Sequence, residues 1–169
     1  MLPSSIPLFP LPNVVLFPNV FLPLHIFELR FREMVTDALH SDRIIGMALL
    51  RPGWEEDYEG RPPVYSVGCA GLITNFEQLE NGRYNIVLRG LQKFRILDED
   101  SQRNYRLAHV DGIIEPLNDS IRQAIRRDRV HLETLVTRGL HQAGTESQVP
   151  ASIPDDDLVN ALAQYLDLE

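Results

Sequence analysis

Five histidines, one cysteine, one lysine and a run of three aspartates are the side chains from which this 169-residue sequence could build a reactive centre. Cys69, in Val67-Gly68-Cys69-Ala70, would be a thiolate nucleophile beside a histidine; in so apolar a setting a small buried thiol is the plainer reading. A single cysteine excludes an internal disulfide and any multi-cysteine zinc or iron–sulfur site, and it suits a reducing compartment. His25, just before a helical stretch, reads as a local hydrogen-bond partner. His109, on one strand face with Tyr105 and Leu107, reads as a satisfied interior or rim histidine. His131 and His141 stand ten residues apart on one helix, about two turns too far to share a metal. A phosphate-cradling loop needs Gly-Lys followed by Ser or Thr, and the only lysine, Lys93, lies between Gln92 and Phe94. Gly68 and Gly71 make no dinucleotide fingerprint, Asp155-Asp156-Asp157 lacks the spacing and glycine of a calcium loop, and no His-Glu-x-x-His occurs. Val64 stands where a nucleophile elbow at Ser66 needs glycine, and Gly90 where a Ser-x-x-Lys pair needs serine. No spacing supports a hydrolase, and neither a cofactor nor a metal is implied.

Binding chemistry is better represented. The loop from Arg51 to Pro63 runs thirteen residues, with turn formers at both ends, four acids, and the aromatics Trp54 and Tyr58. Loops of this length are uncommon unless they serve a function, so it either caps the β part or presents aromatics to a partner. Net charge −8 repels phosphate backbones and anionic lipid. The basic concentration Arg122, Arg126, Arg127 and Arg129 has no interleaved aromatics and surrounds its helix, which fits a solvated face pairing with acids elsewhere. Neither nucleic acid nor a membrane is expected as a partner. Asp128, on the apolar stripe of that helix, calls for a structural pair.

These groups must be positioned by strands at first and helices later. The opening 27 residues carry no Asp, Glu, Lys or Arg but six prolines, which rule out a spanning helix and leave extended chain. Ile6–Leu11 and Asn13–Pro18 read as short apolar strands. From Ile26 to Leu39 the period changes: Phe27, Phe31, Met34, Val35 and Ala38 share a helical stripe over about four turns, with Glu28 four residues before Arg32. Strands follow at Arg43–Leu50, Val64–Phe76, Tyr84–Val87, Leu91–Leu97 and Tyr105–Ile114. Asn81-Gly82 suits a two-residue hairpin turn with left-handed backbone at both positions. The last third is helical: Ser120-Ile121-Arg122-Gln123 fits a capping box, Ile121, Ala124, Ile125, Leu132, Leu135, Val136 and Gly139 share a face, and Asp155-Asp156-Asp157 opens a short helix to Leu168. The composition, 44% hydrophobic and 24% charged, is that of a globular protein, cytoplasmic by its lone thiol. The expected class is α+β, mainly β: a rolled sheet or barrel over residues 1–117 and a helical part over 118–169.

In this order the chain resembles the Lon N-terminal (substrate-binding) domain family. Ile6-Pro7-Leu8-Phe9-Pro10-Leu11 through Val15-Leu16-Phe17-Pro18 looks like its opening strand motif, and Leu22 to Val35 like its first-helix signature. Val67-Gly68-Cys69-Ala70-Gly71 looks like its central strand. Asn81 to Ile86 with Arg89 to Ile96 looks like its hairpin signature. Leu29 and Phe31 depart from the proline and tyrosine often found there, so contacts of that hydroxyl are not carried over. The resemblance implies a PUA-like β-barrel of about six strands with one packed helix, followed by a small helical region. It also implies a stand-alone member without ATPase or protease modules. The expected function is non-catalytic recognition of unfolded or partly folded polypeptide in protein quality control, with a separate protease or chaperone as a further partner. An RNA- or small-ligand-binding PUA-like module is the alternative, since such barrels can bind RNA, and a small hydrolase the last. The family motif supplies no contact residues; pattern alone nominates Trp54, Tyr58, Phe17 and Phe21.

Overall fold

The computed structural model describes residues 2–114, 119–142 and 152–164. In chain order these form β1 (Ser5–Leu11), β2 (Phe21–Ile26), α1 (Leu29–Leu39), β3 (Ile44–Leu50), a 3-10 turn (Trp54–Asp57), β4 (Val64–Gln78), β5 (Tyr84–Asp100), β6 (Arg106–Gly112), α2 (Asp119–Gln142) and α3 (Asp155–Ala163). The mainly-β class with appended helices is as the sequence implied.

All six strands join one sheet in the order β2-β5-β4-β3-β1-β6, and β6 also pairs with β5. The length of β5 makes this possible. Its first half pairs with β2 (Phe21↔Arg89 to Ile26↔Tyr84), its second half with β6 (Phe94↔Gly112 to Asp100↔Leu107), and β4 runs along the opposite edge. Hydrogen bonding therefore closes a ring through β5, β4, β3, β1 and β6, and β2 lies outside it. β1 and β3 are parallel and the other neighbours antiparallel. Register shifts at Ala70/Gly71, Ile73/Asn75 and Ile96/Asp98 mark the bulges that bend β4 and β5 round.

Period-two alternation sends side chains to two cores. Ile6, Leu8, Ala70, Phe94, Ala108 and Val110, drawn from strands all round the ring, fill its interior. On the other face Phe31, Met34, Val35 and Ala38 of α1 pack on Phe9, Ile45, Met47, Cys69, Ile73 and Ile86. The ring is narrow. A Cβ on Gly46 would stand 2.8 Å from Ile6 Cδ1 and 2.9 Å from Phe94 Cζ, so β3 accommodates the Phe94 ring by lacking a side chain there.

Several boundaries differ from the sequence expectation. Asn13–Pro18 is not a strand: Val20 N–H bonds to Phe17 O across a turn, and Pro12 and Pro18 bracket a segment with no sheet partner. α1 begins at Leu29 because Glu28 is still extended (φ −67°, ψ 138°), which leaves eleven residues, about three turns, and puts Phe27 outside the helix. The β4–β5 turn carries positive φ at Gly82 (73°) but not at Asn81. Leu79 N–H bonds to Arg83 O and Gly82 N–H to Leu79 O, which makes a three-residue loop with Gly82 as its left-handed bulge residue. The Tyr84–Val87 and Leu91–Leu97 runs are one strand, since Gly90 passes the chain close under Phe17 O without ending it. α2 starts at Asp119, so Ser120 lies inside the helix instead of capping it.

No side chain of α2 among the described residues is fully buried: Ala124, Ile125, Leu132 and Val136 are half-buried, while Ile121 and Leu135 are exposed. Asp128 is exposed as well, so water solvates it and the expected structural pair is not required. Pro116, the burial of Gly139, the His141 side chain and Leu168 lie outside what the structure describes. α3 connects both ways. Arg129 of α2 bonds Glu133 (2.7 Å), Asp155 (2.6 Å) and Ile153 O, while Asn160 and Gln164 donate to Pro18 O (3.2 Å) and Val15 O (2.6 Å). Among the described residues no helix is long and apolar enough to cross a membrane.

Candidate functional site

The aromatic loop between β3 and β4 is fastened at its base and at its middle. Arg51 N–H donates to Pro63 O (2.9 Å), and Arg51 Nε to Val64 O (3.1 Å). Gly53 takes φ 88°, which turns the chain into the 3-10 segment carrying Trp54. Tyr58 then meets the start of α1. Its hydroxyl donates to Glu28, while Arg30 donates from both Nη atoms to Tyr58 O (3.1 Å each). The Arg30 guanidinium lies 5.0 Å from the Tyr58 ring centre and 4.7 Å from that of Phe31, and it pairs with Glu28 at 3.1 Å. Burial raises the Tyr58 pKa, and the Glu28 hydrogen bond adds to the shift. Glu28 thus serves Arg30 and Tyr58, not Arg32 as spacing suggested; Arg32 lies against Gly82 in the hairpin. Trp54 packs edge-on to Tyr58 with ring centres 5.4 Å apart.

Two clefts flank Tyr58. The smaller, about 170 Å³, runs between the loop and the β5–β6 connection. Its arginines hold the fold together. Arg106 forks onto Glu99 (2.7 and 2.6 Å) and reaches Pro62 O (2.6 Å), Arg61 spans Asp100 O and Arg103 O, and Arg103 pairs with Asp37. Tyr105 also donates to Asp37 (2.7 Å), and burial with that bond pushes its pKa up to about 12. The larger cleft, about 680 Å³, lies between Tyr58 and the first turn of α1 and is lined by Phe27, Leu29, Glu28, Glu33 and Glu59 among others. Phe27 is 57% exposed and Leu29 76% exposed. Sequence reasoning missed both as surface residues, because Phe27 fits the helical stripe by period and only the helix start reveals that it precedes the helix.

The structure brings Trp54 and Tyr58 together and leaves Phe17 and Phe21 apart. Phe17 is half-buried in the turn before β2; Phe21, 55% exposed, lies on β2 opposite Arg89. Neither lines a cleft with Tyr58. β2 is the terminal strand of the sheet. Gly90 N–H bonds to Val20 O, so by alternation Phe21, Pro23 and His25 turn their backbone groups outward, and Pro23 offers no N–H there. That edge is blunted against strand addition.

None of the remaining candidates lines either cleft beside Tyr58. Cys69 is buried, and desolvation raises its thiol pKa to about 12. His25 bonds Asn85, its cross-strand neighbour on β5, at 2.8 Å, 60 residues away in the chain. His109 is exposed, not interior, because Ala108 and Val110 take the inward positions of β6. Of the four clustered arginines, Arg129 makes the expected pairs with acids. Among the described residues no group of three or more His, Cys, Asp or Glu could hold a metal.

Comparison with known proteins gives this arrangement a lineage. The chain is 30% identical over 112 residues to Lon protease 2 of Myxococcus xanthus, which covers 66% of this chain and 13% of that one. It is 22% identical over 161 residues to the Lon protease of Dictyoglomus thermophilum, covering 95% of this chain and 19% of that one. It therefore spans under a fifth of the length of these relatives. Among solved structures, the Lon N-terminal domain protein from Xanthomonas campestris superposes with a TM-score of 0.56 at 24% identity, covering 76% of this chain and 74% of that one. The N-terminal domain of the Mycobacterium avium complex Lon protease gives 0.62 at 17% identity, with 83% and 69% covered. Both likenesses concern the fold. The family described as the ATP-dependent protease La (LON) substrate-binding domain matches residues 5–169, and the chain belongs to it.

Proposed function

We propose that the chain is a non-catalytic module that binds unfolded or partly folded polypeptide in the cytoplasm, within protein quality control. Trp54, Tyr58, Phe27 and Leu29 form its contact surface, and a separate protease or chaperone receives the captured segment. The observation that carries this reading is an exposed apolar patch mounted on a fixed support, in a chain of a substrate-binding family. Phe27 and Leu29 stand in water beside Tyr58, and the Arg30–Glu28 pair holds Tyr58 in place, so little ordering is needed when a ligand arrives. Aromatic side chains of this kind supply contact area at low entropic cost. The blunted β2 edge favours capture of side chains over strand addition, with Phe17 and Phe21 as a separate, secondary contact. The high thiol pKa of Cys69 counts against a hydrolase, and the net charge of −8 against RNA.

Trp54 is the only tryptophan, so its emission reports on the loop alone. The test is a titration with a permanently unfolded, tryptophan-free polypeptide, its folded form run alongside, with ligand anisotropy as an independent readout. The unfolded form should bind and shift Trp54 emission, and the Trp54→Ala, Tyr58→Ala double variant should weaken anisotropy-detected binding at least about tenfold. Unchanged binding by the double variant would move the site away from the loop. Absence of binding by wild type in both readouts would refute the function.

A further inference from the structure

We infer that the groove between Tyr58 and the first turn of α1 selects basic–apolar segments, in which an aromatic or aliphatic side chain stands next to arginine or lysine. This rests on the polypeptide-binding reading above and names the chemistry of the segment that the site would take. The groove combines two features that such a segment answers together. Its apolar surface comes from Phe27, Leu29 and Tyr58, too exposed to belong to the core. Its rim is acidic: Glu33 and Glu59 line the groove, and Glu55 and Glu56 stand exposed on the same loop beside Trp54.

Among the described residues these carboxylates have no cationic partners of their own. Glu33 accepts from the neutral Asn104 amide, and among the described residues no cation pairs with Glu55, Glu56 or Glu59. Arg30, the cation in the groove, is committed to Glu28, to Tyr58 O and to two ring faces. Beyond Tyr58, Arg61 donates to two backbone carbonyls and Arg103 pairs with Asp37, so neither makes an ion pair with the rim. A purely apolar ligand would bury Phe27 and Leu29 but leave the carboxylates facing one another across a drier groove, where their repulsion grows. An arginine or lysine beside the apolar anchor relieves that repulsion while its own stem adds contact area. An acidic segment makes it worse. The net charge of −8 acts in the same direction at longer range, hastening the approach of cationic chain at low salt.

Three unstructured, tryptophan-free peptides of equal apolar content test this, flanked by arginine and lysine, by serine and glutamine, or by aspartate and glutamate. Affinities are read by Trp54 emission and by peptide anisotropy at low and high salt, for wild type and for the Glu55→Gln, Glu56→Gln, Glu59→Gln variant. All three positions are exposed and have no ion-pair partner among the described residues, so the described fold does not depend on their charge. The basic peptide should bind about tenfold more tightly than the acidic one at low salt, by the sum of several exposed pairs. Salt and the triple variant should each narrow that gap, the variant by weakening the basic peptide and strengthening the acidic and neutral ones. Equal affinity for all three peptides would overturn the charge selection and leave polypeptide binding standing. A basic preference that survives both the triple variant and the same variant with Glu33→Gln added would overturn this groove as its source. If no peptide binds, the polypeptide-binding reading falls with it.

Discussion

Cys69 and Tyr105 are held in their protonated forms by the fold. Each has a pKa raised to about 12, from ordinary values of 9.0 and 10.0, chiefly because burial penalises the anion. In the unfolded chain both groups ionise earlier, so above pH 9 the unfolded state binds fewer protons than the native one and stability falls as pH rises. The urea midpoint should therefore be lower at pH 11 than at pH 8, and Tyr105→Phe should lessen the drop. Native Cys69 should also resist a thiol reagent at pH 8 and react once urea unfolds the chain. The core role of Cys69 was legible in its apolar, glycine-flanked setting. The exposure of His109 was not, because a one-residue shift in where β6 starts flips every side chain to the other face. Nor could spacing show that the Tyr105 hydroxyl reaches Asp37 on α1, 68 residues away in the chain.

Elements owe their placement to a few close contacts. Phe94 fills the ring interior where Gly46 leaves room, so each alteration there has a defined direction. Phe94→Ala should cost about 3–5 kcal/mol through the cavity it leaves. Gly46→Ala should cost about 1–3 kcal/mol through overpacking against Ile6 and Phe94. Combined, the two should cost less than their sum, since the truncated ring no longer meets the new methyl; denaturant unfolding of the three variants checks this. The apolar stripe of α1 could be read from sequence because Phe31, Met34, Val35 and Ala38 repeat at helical spacing and are the helix's buried residues. Its start could not. Phe27 obeys the same period, and only the extended Glu28 puts it on the surface beside Tyr58, where the candidate site gains an anchor. Composition and turn formers made the Arg51–Pro63 loop visible as a candidate. Its attachment to α1 through Arg30 depends on folded geometry that brings two distant segments together, which neither segment's own pattern reveals.

Across the whole molecule, α3 is tied to the segment between β1 and β2 and to α2 by polar contacts around a single buried apolar residue, Leu158. Arg129→Ala removes the link to Asp155 and Ile153 O, so amide exchange in residues 155–163 should quicken while exchange in the strand ring stays as in wild type. Equal protection of α3 in both proteins would mean that its contacts with Val15 and Pro18 suffice. The closing of the ring by β6 has a different kind of consequence, for the chain as it is synthesised. β1 is synthesised before both of its partners, β3 and then β6, with Ile6 finally opposite Ala108. Such distant pairings are slow to form, and until they do an apolar strand waits with its backbone open to other nascent chains. Pro7 and Pro10 take two amide donors from that strand, so the residues that broke its reading as a membrane helix also guard it while it waits.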